Sequence, residues 1–317
     1  MYLWLEAKMR FSIPAWVKEL VDQVNQTGGD GFPGLLRHFS VFNRLGQLVD
    51  RDGFLTDLNA LIDHHEAQVA EQATAADRLL SLRPPNLMTK TWREDLHSWM
   101  QTVMDAFLGF HVEIPEPPML NRSQRRSLVK YGFRLFFVPA IEENQYPKHM
   151  VKPNWGKYLA VAQIERVPLP GKWVAIETIG KPNYQDGKYP DDKLMADTGI
   201  ASRFNHPVSD KGEGDDIVLD FLPKVAKILG PLPGGIQLPT VEIWNFIANL
   251  FLWLNSHCGE KLPDLGATSS VEWCANRYDS RDALFVGDSY GGSLAYVHWL
   301  WRDDRDVRIA FRFLAVF

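Results

Sequence analysis

The feature that most constrains this chain is a change of hydrophobic period near residue 125. Before it, apolar residues recur every three or four positions. Ile13-Pro14 opens a predicted helix through Val24, and Leu35–Val49, Leu55–Val69 and Leu58–Leu80 keep the same spacing. Trp92–Phe110 repeats it, with Trp99, Val103, Phe107 and Phe110 nearly in line. Pro84-Pro85 interrupts the pattern and Pro115-Glu116-Pro117-Pro118 ends it. After Arg125-Arg126, the stretches Tyr131–Val138, Tyr158–Val167 and Trp173–Ile179 are β-branched and aromatic, and several alternate as strands do. A Gly/Asp/Pro-rich stretch, Lys181–Asp216, leads into two helical segments, Ile217–Leu229 and Val241–Asn255, and then into short strands and turns. The pattern predicts an α+β protein: a helical N-terminal region over 1–125, for assembly or packing, and an α+β domain over 126–317.

Composition narrows the function classes. At 317 residues and 45% hydrophobic, the chain can bury a core without disulfides or metals. A net charge of -5 argues against a nucleic-acid protein, which needs a basic face. The N-terminal MYLWLEAKMRFSIPAW mixes its charges into the apolar stretch, unlike a signal peptide. The longest apolar run, Phe246–Leu254, contains Asn249 and is far too short to span a bilayer. A soluble protein is expected, cytoplasmic as made or carried on a virion. Cys258 and Cys274 are too few for a disulfide framework or a zinc site. They could pair, but without a secretory signal two free, half-buried thiols are the better reading.

Four stretches imitate functional motifs. Asp50-Arg51-Asp52-Gly53-Phe54-Leu55 has the look of a calcium loop, but with Gly53 at its sixth position the first and twelfth would be Leu48 and Asn59. A plain helix-connecting turn is expected. Asp63-His64-His65-Glu66 sits in a helical pattern, where adjacent imidazoles diverge by about 100° and cannot share a metal. Asp210–Asp216 (DKGEGDD) gathers carboxylates on a Gly-rich loop, and the choice there lies between calcium and an acidic cap on the following helix. Gly287-Asp288-Ser289-Tyr290-Gly291 has its Ser one place from where a nucleophile elbow needs it, with no helical pattern after it. No catalytic residue, metal ligand or cofactor site is expected.

The last quarter holds five of the eleven tryptophans. In Tyr296-Val297-His298-Trp299-Leu300-Trp301, a strand puts Val297, Trp299 and Trp301 on one face and Tyr296, His298 and Leu300 on the other. The first set reads as core. The second mixes an aromatic, an imidazole and an aliphatic, as neither a core nor a plain solvent face would. Beyond Arg302-Asp303, alternation sends Val307, Ile309, Phe311 and Phe313 inward and Asp306 and Arg308 outward beside Asp304. Aromatic and charged groups held together on a rigid sheet are the make-up of a binding surface.

Four stretches in this region together resemble one family. Leu238-Pro239-Thr240 with Trp244 and Phe246, Glu272-Trp273 with Val271 in place of a first Trp, Gly291-Gly292-Ser293, and Ala310-Phe311-Arg312-Phe313 resemble, in order, motifs of formylglycine-generating-enzyme-like domains. The resemblance implies a C-type lectin fold of that subtype for residues 126–317, secure only over Leu238–Phe317. From Leu262 to Phe317 there is no Lys, Gln or Met. That stretch resembles the variable region of diversity-generating-retroelement proteins, lectin-fold binders in which template adenines, mainly in Asn codons, are copied with errors. Randomising the first two bases of such codons cannot yield Lys, Gln, Met, Glu or Trp. Tyr290, Tyr296, His298, Leu300, Asp304, Asp306 and Arg308 are all types such codons can yield. The resemblance therefore implies a diversified ligand-binding face of those seven residues. Trp244, Trp273, Gly291, Gly292, Trp299, Trp301, Phe311 and Arg312 would be its invariant scaffold.

The implied function is non-enzymatic binding of a protein or cell-surface ligand, with no nucleic acid, membrane span, metal or cofactor. The helical N-terminal region would permit an oligomer, in which several copies gain avidity. The alternatives are an oxidase of the formylglycine-generating type and an ordinary, undiversified lectin-like binder. The oxidase needs reactive cysteines between the Gly-Gly-Ser and Phe-Arg segments, and Leu294–Ile309 has none. The sugar-chelating Glu-Pro-Asn and Trp-Asn-Asp patterns of calcium lectins are missing as well. Glu116-Pro117-Pro118 lies outside the domain, and Trp244-Asn245-Phe246 lies in a helical pattern.

Overall fold

The computed structural model describes residues 82–155, 164–208, 217–279 and 281–317, all within the compact unit Leu79–Phe317. The helices expected between residues 13 and 80, the Asp50–Leu55 turn, Asp63–Glu66, Asp210–Asp216 and most of the expected strand Tyr158–Val167 lie outside these residues.

Helix α1, Trp92–Leu108, buries Trp92, Leu96, Trp99, Met100, Val103, Met104 and Phe107 along one stripe. Glu94 and Asp95 complement the dipole of its first turn, and Gly109, at φ +75°, closes it. Helix α2, Arg122–Lys130, starts on a capping box in which Asn121 and Gln124 satisfy each other's backbone N–H groups. The chain then enters strand β1, Phe133–Val138, and crosses to β2, Lys172–Glu177. A short helix α3, Lys193–Thr198, and α4, Val218–Leu229, lead to β3, Ile236–Gln237.

Helix α5, Val241–Cys258, is the centre of the fold. Fourteen of its 18 residues are buried, so it is apolar nearly all round, as a core helix must be. Thr240 caps its start by accepting from the Ile243 N–H, and Gly259, at φ +63°, ends it. It touches β1 and also β4 (Val271–Arg277), β5 (Asp282–Asp288) and β6 (Ser293–Trp301). Two further short strands follow, β7, Ile309–Ala310, and β8, Leu314–Val316.

The strands form two four-stranded sheets, ordered β1-β2-β8-β3 and β6-β5-β4-β7. The first is antiparallel throughout; in the second only the β4–β7 pair is parallel. Strands β7 and β8 are separated only by Phe311-Arg312-Phe313, so one short segment belongs to both sheets. The described protein is thus a mixed α+β fold. Its core takes in α1, α2, α5 and both sheets, from Leu87 through Ala315. Among the described residues, no helix is long and apolar enough to cross a membrane.

Candidate functional site

Three of the four motif stretches, those of Trp244, Glu272 and Arg312, meet around one buried carboxylate. Glu272, on β4, is fully excluded from solvent. Arg312 donates to it from Nε at 3.0 Å and from Nη2 at 2.8 Å. Trp244 Nε1, on α5, donates to the same carboxylate at 2.7 Å, as does the Tyr189 hydroxyl at 2.7 Å. Arg312 spends its remaining donor on the carbonyls of Glu177 and Ile179. Burial alone would raise the Glu272 pKa, but the Arg312 guanidinium, with Lys181 and Trp244, holds it down at about 2.

A second buried group braces the first. Arg203 pairs with Glu177 at 2.6 Å and also binds both oxygens of Asp192, and Glu177 accepts from the Phe313 N–H at 2.7 Å. Lys181, equally buried, donates to the carbonyls of Ser270 and Gly287, and burial lowers its pKa to about 8. Gly287 has φ +84°, and a Cβ there would lie 2.6 Å from the Trp244 ring, so only glycine lets the β5 backbone pass this close. Arg203, Glu177, Lys181 and Tyr189 went unread in the sequence. Their one visible signal is a charge set among apolar or aromatic neighbours, as in Ile176-Glu177 and Arg203-Phe204.

Above this anchor, β5 and β6 form a hairpin whose outer side carries the expected binding residues. Tyr290 stands at its tip, 86% exposed, with its backbone N–H held by Asp288. Tyr296 and His298 are half-buried and lie over Phe285, with ring centroids 6.2 and 5.6 Å away. His298 stands directly across from Phe285 in the ladder, and Leu300, also half-buried, across from Ala283. The Tyr296 ring packs on the open face of Gly291, where a Cβ would come within 2.1 Å of it. Gly292, at φ +125°, completes the turn. These contacts bring Tyr296, His298 and Leu300 together on one side.

The loop after β6 closes beside them. Arg308 grips Asp306 with Nη2 at 2.6 Å and Nε at 3.0 Å. Burial pushes the Asp306 carboxyl up, and the Arg308 hydrogen bonds overcome it, leaving the pKa below its ordinary value. The pair, with Tyr296, Asp288 and Ser269, lines a cavity of about 30 Å³, room for one water-sized group. Asp304 is half-buried, its N–H turned back to the Trp301 carbonyl.

The scaffold residues divide. Trp244, Trp273, Phe311 and Arg312 are wholly buried. Trp299 is only half-buried and stacks on Tyr278 at 5.4 Å and 9°. Trp301, read as inward, is 53% exposed, and Val307, read likewise, is 59% exposed. Along β6 the supposed core side runs from buried Val297 through half-buried Trp299 to exposed Trp301, so the strand outruns the core. Val307 lies in the irregular loop before β7, where strand alternation does not apply.

Both cysteines are free and buried, beyond the half-burial expected. Burial pushes Cys258 up to about 11 and Cys274 well above its ordinary value, so neither supplies a thiolate near neutral pH. Among the described residues, no three His, Cys, Asp or Glu side chains are grouped to hold a metal. Comparison with protein-family models, curated proteins and solved structures finds no match.

Proposed function

We propose that the protein is a non-enzymatic binder with a C-type lectin fold of the formylglycine-generating-enzyme-like subtype. Its β5–β6 hairpin and the following loop form a diversified face for a protein ligand. The observation that carries this reading is a division of labour within the stretch Trp244–Arg312. Trp244, Glu272, Trp273, Phe311 and Arg312 form a solvent-free anchor, while Tyr290, Tyr296, His298, Leu300, Asp304, Asp306 and Arg308 all keep part of their surface outside it. A face built this way can change its side chains without touching the groups that hold the sheets. Exposed Val307, between Asp306 and Arg308 in the loop, adds apolar area beside them. Oxidase chemistry of the related enzymes is disfavoured because the two thiols are buried, protonated and outside Leu294–Ile309.

The test is a library in which the seven codons are randomised at their first two bases, paired with sequencing of the DNA beside the gene. The expected result is that most variants unfold cooperatively near the parent's midpoint, and that a near-copy of the last hundred or so bases, altered at adenines, lies close to a reverse transcriptase. General loss of folding would show that the seven residues are core. A missing near-copy would leave an undiversified binder.

A further inference from the structure

A second concavity lies on other elements and shares no lining residue with the hairpin face. It is bounded by Ile141–Tyr146, by Arg166–Leu169 and by Glu242 in the first turn of α5, and measures about 560 Å³. That is within the range of small-molecule sites, about 300–1,000 Å³. We propose that it binds a small organic cation, a primary ammonium group held by the Tyr146 hydroxyl and the Glu242 carboxylate.

The Tyr146 hydroxyl points to this ligand first. Its side chain is 7% exposed and its ring packs edge-on against Phe246 at 6.5 Å, while the residue lines the cavity and its hydroxyl, with no hydrogen-bond partner among the described residues, is left open to the cavity's solvent. Local charge then selects the sign. Three carboxylates, Glu142, Glu143 and Glu242, line the cavity against two cations, Lys152 and Arg166.

Arg166 is already committed. Its guanidinium lies 4.0 Å from the Trp155 ring and donates to Glu143 Oε1 at 2.6 Å. Glu242 is met by neutral donors, the Val167 N–H at 2.9 Å and Asn276 Nδ2 at 3.0 Å, with Arg166 Nε no nearer than 3.7 Å. A buried carboxylate with no cation in hydrogen-bond contact, beside a hydroxyl open to the cavity, suits an ammonium, whose donors match both acceptors; Glu143, already accepting from Arg166 and from Trp155 Nε1 at 2.6 Å, adds negative charge nearby. The directions of titration agree. Burial chiefly raises the pKa of Glu242, and burial with the two nearby carboxylates raises that of Tyr146, so the phenol stays neutral and keeps its lone pairs for a donor.

The experiment titrates the full chain at neutral pH with n-butylammonium, and with n-butanol and butyrate as size-matched neutral and anionic probes, following side-chain NMR shifts. Butylammonium should saturate, with n-butanol and butyrate at least about tenfold weaker. Tyr146→Phe should weaken butylammonium by about the same factor with the unfolding midpoint unchanged, since the ring contact is kept. Glu242→Gln should also weaken it. Equal binding of n-butanol, tighter binding of butyrate, no saturable binding, or an affinity unchanged in Tyr146→Phe would each overturn the proposal. None of these outcomes bears on the hairpin face.

Discussion

Arg312 and Glu272 form a two-point ion pair, 2.8 and 3.0 Å, with both side chains fully sealed from solvent. The pair joins β4 to the segment between β7 and β8, and through Trp244 it joins both to α5. Removing one member leaves a buried charge with no counterpart.

Arg312→Met is therefore expected to cost about 3–5 kcal/mol, the usual penalty for breaking a buried pair from one side. Arg312→Lys should recover little of it, since an ammonium cannot reproduce the two-point grip and also serve the Glu177 and Ile179 carbonyls. Urea unfolding of the two variants decides this. A loss below about 1 kcal/mol for the Met variant would mean the pair is not an anchor.

The same carboxylate predicts an acid-sensitive fold. Glu272 titrates at about 2 in the folded protein against 4.5 as its ordinary value. Between those limits the unfolded chain binds more protons, so this group's stabilisation is complete above 4.5 and drains away as pH falls toward 2. Lys181 acts at the other end. Its folded value near 8 lies under the ordinary 10.5, so its burial is costly below 8, and the cost is relieved as pH climbs to 10.5. Unfolding midpoints measured from pH 5 down to about 3 should decline in the wild type and decline less in Glu272→Gln.

Two glycines should separate stability from binding. Gly287→Ala drives a methyl into the Trp244 ring from a left-handed backbone, and a loss of about 2–4 kcal/mol is expected. Gly291→Ala meets the ring of Tyr296, which is half-exposed and can swing aside, so a loss near 1 kcal/mol or less is expected while the hairpin's outer face is rearranged. Calorimetry reads the first effect, and Tyr296 NMR shifts read the second. Equal destabilisation by both would count against this assignment.

A tryptophan series should follow depth. Trp244→Ala or Trp273→Ala should cost about 3–5 kcal/mol, as full burial demands. Trp299→Ala should cost about 1–2 kcal/mol, for a half-buried ring stacked on Tyr278. Trp301→Ala should lie within about 0.5 kcal/mol of the parent. Chemical denaturation measures the order, and a Trp301 effect as large as that of Trp299 would mean the strand end is covered.

Local pattern was legible wherever neighbours along the chain decide the structure. Val218–Leu229 begins one residue from its expected start, and Trp92–Leu108 stops two residues short of Phe110 because Gly109 takes the left-handed turn. Helix α5 runs three residues past Asn255, to the next glycine. Alternation told which side of β6 a residue occupies but not how far the core extends beneath it, which is why Trp301 was misread. Least visible were the buried charges Glu177, Lys181 and Arg203, whereas Glu272 and Arg312 were singled out only through the motif resemblance. Glu177 and Arg203 are 26 positions apart, and Glu272 and Arg312 are 40 apart. Apolar or aromatic neighbours are the only local mark on such a charge, and they do not say which distant residue is its partner.

The short passage from Ile309 to Val316 belongs to both sheets, pairing with β4 on one side and with β2 and β3 on the other. It follows directly on the exposed loop that bears Asp304, Asp306 and Arg308. A substitution in that loop changes one side chain upstream of the closing strands, whereas a slip of the reading frame there replaces every residue of both. The order of the chain thus puts the residues that close both sheets downstream of this loop, so that a change of one letter there spares them and a change of frame does not.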